Sequence, residues 1–244
     1  MKKTKKIFLP LILILAVVVG VVYEISIVQH GKIDDQAVVV TFYDPNTKDI
    51  INHSFVLLNV PFVSQAPLGH WYDPRQETGC EVTSVLMAWL WINKQTIEPV
   101  KAENEIISGA SFEVKQYGGY FNFDYNDAVK LMNDYYHYDK IKSVASSSIE
   151  DIKDQLRQGN IVLLPILGRR LDNPYYTPPG PPTHMIVVRG FDDAQQQFIT
   201  NDPGTKRGDE FRYSYATIAS AMVDYPSNHR STKGIPKTMV VVEK

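Results

Sequence analysis

From residue 80 to residue 159 the apolar residues recur at helical spacing. From residue 161 onward they run in short continuous stretches bounded by Gly, Pro, Asn and Asp. That change of period constrains the fold more than any other feature of the chain. Helical patterns gathered ahead of strand patterns, rather than alternating with them, predict an α+β fold and not a wound parallel sheet.

The first helical pattern is "CEVTSVLMAWLWI", where Val82, Val85, Leu86, Trp89 and Leu90 fall on one face. Thr78 and Glu81 match a capping box, which predicts Thr78 as the N-cap and places Cys80 in the first turn. A second helix is predicted to start at Pro99 and stop at Gly109, and a third to occupy "NDAVKLMNDYYHY". A fourth, "SSSIEDIKDQLRQGN", has serine caps, early acids and Gly159 as its stop. Strands are predicted over 161–167, 184–191, 197–202 and 238–243. Ahead of the helices, "AVVVTFYDPNTKDIINHSFVLLNVPF" reads as a hairpin around "DPNTK".

The N-terminus has a different character. "MKKTKK" precedes an uncharged apolar run over 7–23, near the lower end of the ~17–25 residues that span a bilayer. No Ala-x-Ala site follows it, so an uncleaved transmembrane anchor is expected rather than a signal peptide. The lysines predict a cytoplasmic tail over 1–6 and everything beyond the anchor on the outer side of the membrane. A spacer is expected over 24–36 and one domain over 37–244, hairpin included. The chain is expected to be a monomer bound to the membrane through that helix.

Composition then removes whole classes of function. A formal net charge of −2 with no basic block gives no footprint for nucleic acid. One cysteine excludes an intrachain disulfide and the paired-cysteine zinc patterns. The six histidines show no i, i+4 pair, so neither a metal nor any other cofactor is expected.

Cys80 itself reads in two ways. A lone cysteine is commonly a small core hydrophobe. At a helix N-terminus, however, unpaired N–H groups and the macrodipole favour the anionic, nucleophilic form of a thiol. A nucleophile needs a base and something to orient it. His184 begins the strongest strand pattern, beside the proline-rich "NPYYTPPGPP". If 184–191 and 197–202 form a hairpin, both strand ends lie side by side with His184 near Asp202, which can accept from the imidazole; Asn201 is the substitute. The Cys80 N–H and the amide of Gln65 are candidate donors to the developing oxyanion of acyl transfer, the other reading of Gln65 being a surface-loop residue. Tyr175 and Tyr176, between stiff prolines, are candidates for one wall of a substrate cleft.

Taken in order, "VPFVSQAPLGHWYDPRQETGCEVTSVLMAWLWI", "GPPTHMIVVRGFDD" and "FITNDPGTKRG" resemble the papain-like cysteine peptidases of family thirty-nine, and within it the stand-alone branch related to bacteriocin double-glycine leader peptidases. The resemblance spans roughly residues 59–225. It implies a papain-like α+β fold, with a nucleophile helix packed on an antiparallel sheet. It also implies a hydrolase with Cys80 as nucleophile, His184 as base, Asp202 as orienter and Gln65 as oxyanion donor. The substrate would be a peptide or protein, with the cell envelope one source. Glu81 and Val82 follow the cysteine where the family commonly has small residues. The sequence shows neither transporter spans nor a Gly-rich phosphate loop, so a leader-processing role is not expected. A cell-wall amidase or transpeptidase on the same fold, and a catalytically silent binding module, stay open as alternatives.

Overall fold

The computed structural model describes residues 14–18, 21–28, 36–44, 49–118, 125–145, 147–223 and 237–244, with backbone alone up to residue 53. Its ten described strands join into one antiparallel sheet. The main path runs β1 (Ile14–Val18), β2 (Val21–Val28), β3 (Gln36–Asp44), β4 (Asp49–Leu57), β7 (His184–Asp192), β6 (Ile161–Ile166), β10 (Thr238–Val242) and β5 (Ile141–Ala145). β8 (Gln197–Asn201) and β9 (Phe211–Ser214) branch from β7. β7 is therefore the hub, paired with β4, β6 and β8. Every residue of β6, and all of β7 except Asp192, is buried, which explains why both strands read as continuous apolar runs rather than alternating ones.

Helix α2 (Cys80–Asn93) packs on β7 and against α3 (Pro99–Tyr117) and α4 (Tyr125–Asp134). A single apolar face was expected, but α2 is enclosed on nearly all sides. Thr83, Ser84, Met87 and Trp91 are buried along with Val82, Val85, Leu86 and Leu90. Each large aliphatic side chain buried this way contributes about 1.5–3 kcal/mol. Trp89, expected in the core, is only partly covered and stacks on Tyr136 at 5.2 Å.

Two helix boundaries differ from expectation. Gly109 does not end α3, which runs on to Tyr117 and stops at Gly118 in the left-handed region, φ 85°. A Cβ on Gly109 would stand 2.7 Å from Cγ1 of Val82, so this glycine lets α3 approach α2 closely. Nor is Thr78 the N-cap of α2. It ends the short helix α1 (Pro74–Glu77), where its hydroxyl donates to the Pro74 carbonyl at 2.8 Å, and Gly79 caps α2 instead. The expected capping box is thus pre-empted by a helix too short to show a periodicity. By contrast, α5 (Ile149–Arg157) carries a complete box between Ser148 and Asp151.

The described part of the run expected as a membrane helix, 14–18 and 21–23, lies in β1 and β2, and 24–28 of the expected spacer continues β2. Valine and isoleucine suit strand pairing as well as an apolar helix, so composition alone did not separate the two. Residues 7–13 and 19–20 lie outside the described residues. Among the described residues no helix is long and apolar enough to cross a membrane. The hairpin expected ahead of the helices is β3–β4, paired from Gln36↔Leu57 to Asp44↔Asp49, with its turn residues 45–48 outside the described set.

Candidate active site

Cys80 is the first residue of α2, so its N–H belongs to the group of helix-terminal donors that have no intrahelical acceptor. One turn further along, the Ser84 hydroxyl donates to the Met185 carbonyl at 3.3 Å. That bond sets the register of α2 on β7 beside the first residue of the strand, His184. Both Cys80 and His184 line a cleft of about 770 Å³, together with Gln65, Trp71, Tyr175 and Arg207.

The expected hairpin forms. β7 and β8 pair antiparallel with Val187 opposite Asn201, and an irregularity sits between Val188 and Gly190. Asp202 follows β8 directly, and its Oδ1 meets Nε2 of His184 at 2.8 Å. The other ring nitrogen, Nδ1, is left to the Cys80 side chain, which interacts with the imidazole. Both groups of the His184–Asp202 pair are buried, at 2% and 0% side-chain exposure. Burial alone would lower the His184 pKa; the Asp202 carboxylate, together with Cys80, outweighs it and raises the pKa to about 10. For Asp202, burial pushes up, but His184 and the hydroxyls of Tyr176 and Tyr213 hold the carboxyl below its ordinary range. An imidazolium facing a carboxylate is the pairing both shifts describe.

Asn201, the alternative orienter, is engaged elsewhere. Its Nδ2 donates to the Val60 and Pro61 carbonyls at 3.1 and 3.3 Å, fixing the segment that leads to Gln65. Asp192 pairs with Arg212 at 3.0 Å and Asp193 with Lys153 at 2.7 Å, both at the far end of the hairpin.

Gln65 lines the cleft, and its backbone N–H donates to the Pro203 carbonyl at 2.9 Å, beside Asp202. Its side chain is not aimed at a reacting carbonyl. Nε2 meets the Gln76 and Glu77 carbonyls at 2.9 and 2.8 Å, which engages both of its hydrogens. The carbonyls at the end of α1 compete for the same donor, and α1 was the element the sequence did not reveal.

The two tyrosines of the proline-rich segment divide. Tyr175 is exposed on the cleft, with the Arg207 guanidinium 4.8 Å from its ring centroid. Tyr176 lines the cleft with its ring edge-on to His184, while its hydroxyl turns inward to Oδ2 of Asp202 at 2.6 Å. Sequence reasoning missed two residues altogether. The Tyr213 hydroxyl on β9 donates to the same Oδ2 at 2.5 Å, and Asn173 Nδ2 reaches it at 3.2 Å. Nothing local to "FRYS" or "DNPYY" signals this, because the shared acceptor is distant in sequence.

Behind Cys80, the buried Glu113 of α3 meets no hydrogen-bond partner at either oxygen among the described residues. Burial, with Asp127 and Cys80 nearby, pushes its carboxyl up to about 8, so it keeps a proton at neutral pH and adds no charge behind the thiol. Among the described residues no group of His, Cys, Asp and Glu could hold a metal ion.

A thiol and an imidazole on the wall of a cleft, with a buried carboxylate bonded to the imidazole, are the groups that thiol-based acyl transfer needs. The family model described as the Peptidase_C39 like family matches residues 57–232, and the chain belongs to that family. Among solved structures it is similar to a Bacillus anthracis protein described as a C39-like peptidase, at 19% identity over 78% of this chain and 98% of that one, with a TM-score of 0.45. No curated protein matches the chain.

Proposed function

We propose that the chain is a cysteine peptidase in which Cys80 is the nucleophile, His184 the base and then the acid, and Asp202 the orienter of His184. The observation that carries this reading is a single buried imidazole set between the Cys80 side chain and a buried carboxylate beside a cleft. Family membership supports a peptidase independently of that geometry.

The thiolate of Cys80 attacks the carbonyl carbon of a peptide bond, a C–S bond forms, and the carbonyl electron pair moves onto oxygen. The Cys80 N–H at the start of α2 faces no intrahelical acceptor and is one donor for that oxygen. Gln65 is the second once its amide releases the Glu77 carbonyl. Collapse breaks the C–N bond, and Nδ1–H of His184 protonates the departing amine. Nδ1 then takes a proton from water, the resulting hydroxide attacks the acyl-enzyme, and the thiolate leaves. Throughout, Asp202 keeps its bond to Nε2, which fixes the imidazole orientation and balances its charge.

Iodoacetamide labelling of Cys80, followed by profiling on a peptide library set against purified cell wall, tests the reading. Rapid labelling with cleavage of peptides supports a peptidase. Release from cell wall alone supports an amidase or transpeptidase, and inert Cys80 supports a silent module. The lysine-flanked apolar run at 7–23 supports attachment to the membrane with the domain on its outer side, although the described part of that run pairs as β1 and β2 rather than forming a helix. Protease added to intact cells should then remove the domain; protection until lysis would overturn that placement.

A further inference from the structure

Asp202 is wholly buried, yet hydrogen-bond donors surround its carboxylate. Oδ1 accepts from Nε2 of His184 at 2.8 Å and from the Gly204 N–H at 2.9 Å. Oδ2 accepts from the hydroxyls of Tyr213 and Tyr176 at 2.5 and 2.6 Å, with Asn173 Nδ2 farther off at 3.2 Å. An ionised carboxylate offers about four lone-pair sites, two on each oxygen. The four short donors fill them, so a proton arriving at Asp202 would have to displace one.

The direction of each donor is set by its own partners. The Tyr175 N–H donates to Oδ1 of Asn173 at 2.9 Å, which turns the Asn173 amide nitrogen toward the others. That nitrogen donates to the Tyr213 hydroxyl at 2.6 Å, occupying an acceptor site there and leaving the Tyr213 hydrogen to Asp202. Tyr176 has a second position of consequence. It belongs to the loop that forms one wall of the cleft, and its ring stands edge-on to His184 with centroids 5.6 Å apart.

We propose that Tyr176 and Tyr213 are positioning residues for the reaction: they saturate Oδ2, so that Asp202 keeps its charge and holds Oδ1 on His184. Through Tyr176, the wall a substrate lies against and the residue that orients the base become one hydrogen-bonded unit. The proposal rests on the peptidase reading for its catalytic meaning, but not for its geometry. The titratable groups facing Asp202 are His184 from β7, Tyr176 from the loop and Tyr213 from β9, with Cys80 of α2 on the other side of the imidazole.

The test uses the full chain with ¹³C-labelled aspartate, the Asp202 carboxyl resonance being assigned by its loss in Asp202→Asn. Phenylalanine at 176 or 213 keeps the ring and removes only the hydroxyl. Fewer hydrogen bonds to the charged form favour protonation, so the titration midpoint of Asp202 should rise in Tyr176→Phe and in Tyr213→Phe, and further in the double variant. kcat on a cleaved peptide should fall about tenfold in each, with KM within about twofold, since neither change removes apolar surface from the cleft. Unchanged midpoints overturn the proposal, as does a loss of activity that appears only in KM or only alongside a lowered Tm. If the midpoints rise but the parent cleaves no peptide, the hold on Asp202 stands and the peptidase reading has failed.

Discussion

Gly204 and His184 are in contact such that a Cβ on the glycine would stand 2.9 Å from Cε1 and 3.1 Å from Nε2 of the imidazole. The same atom would lie 3.1 Å from Cε1 of Tyr176. The glycine therefore closes the site around the base, and Gly204→Ala must push the imidazole or the tyrosine aside. A displacement approaching 1 Å at a reacting group can cost about 10²-fold in rate. Gly204→Ala should lower kcat by that order while Cys80 still alkylates. Parental kcat would mean that the imidazole is free to move.

Much of this site was legible because its two long-range partners sit at the ends of adjacent strong strands. A continuous apolar run marked β7, and the intervening "DDAQQ" marked the turn. Antiparallel pairing then brought the end of β8 beside the start of β7, with Val187 opposite Asn201 and Asp202 following directly. Cys80 at a helix start was legible for the same local reason. The rest was not, since it depends on contacts made across the fold. Gly109 has the same chemistry whether it ends a helix or lets Val82 approach, and only packing decides between them. Helix α1 spans four residues, too few for a periodicity, although Asp73 before Pro74 is a recognisable cap and first-turn pair. Missing α1 led both to the wrong cap for α2 and to a Gln65 amide expected to be free. Tyr213 and Asn173 converge on a carboxylate that neither sequence context mentions.

The His184–Asp202 pair predicts the alkaline limb of activity. A raised imidazole pKa of about 10 means that the proton delivered to the leaving amine is lost as pH rises through that value. The contribution of His184 to folding follows the same sign, present in full below the ordinary histidine value near 6.5 and lost as pH climbs through about 10. That of the lowered Asp202 is instead lost in acid as its carboxyl protonates. Asp202→Asn removes the charge but leaves an acceptor for Nε2–H. Its kcat/KM profile should turn down at a lower pH than the parent's, with activity reduced less than in Cys80→Ala. An alkaline limb that does not move would show that Asp202 has no influence on the imidazole.

Gln65 should affect both folding and turnover. Gln65→Ala deletes two hydrogen bonds to the Gln76 and Glu77 carbonyls, each worth about 0.5–1.5 kcal/mol net. Thermal unfolding should therefore shift downward by several degrees. If the amide swings to the oxyanion during reaction, kcat should also fall by about 10²–10³ with KM little changed. A lowered Tm with kcat within about threefold of the parent would leave Gln65 as the anchor of α1 and the Cys80 N–H as the oxyanion donor.

The central claim is that Cys80, activated by His184, hydrolyses peptide bonds. Exposing a peptide library to the parent and to Cys80→Ala, and counting new N-termini by mass spectrometry, tests it most directly. The parent should generate new termini at a consistent set of bonds, and Cys80→Ala should generate none while unfolding at a similar temperature. Cleavage that persists in Cys80→Ala, or a parent that cleaves nothing and whose Cys80 alkylates no faster than free cysteine, would contradict the account.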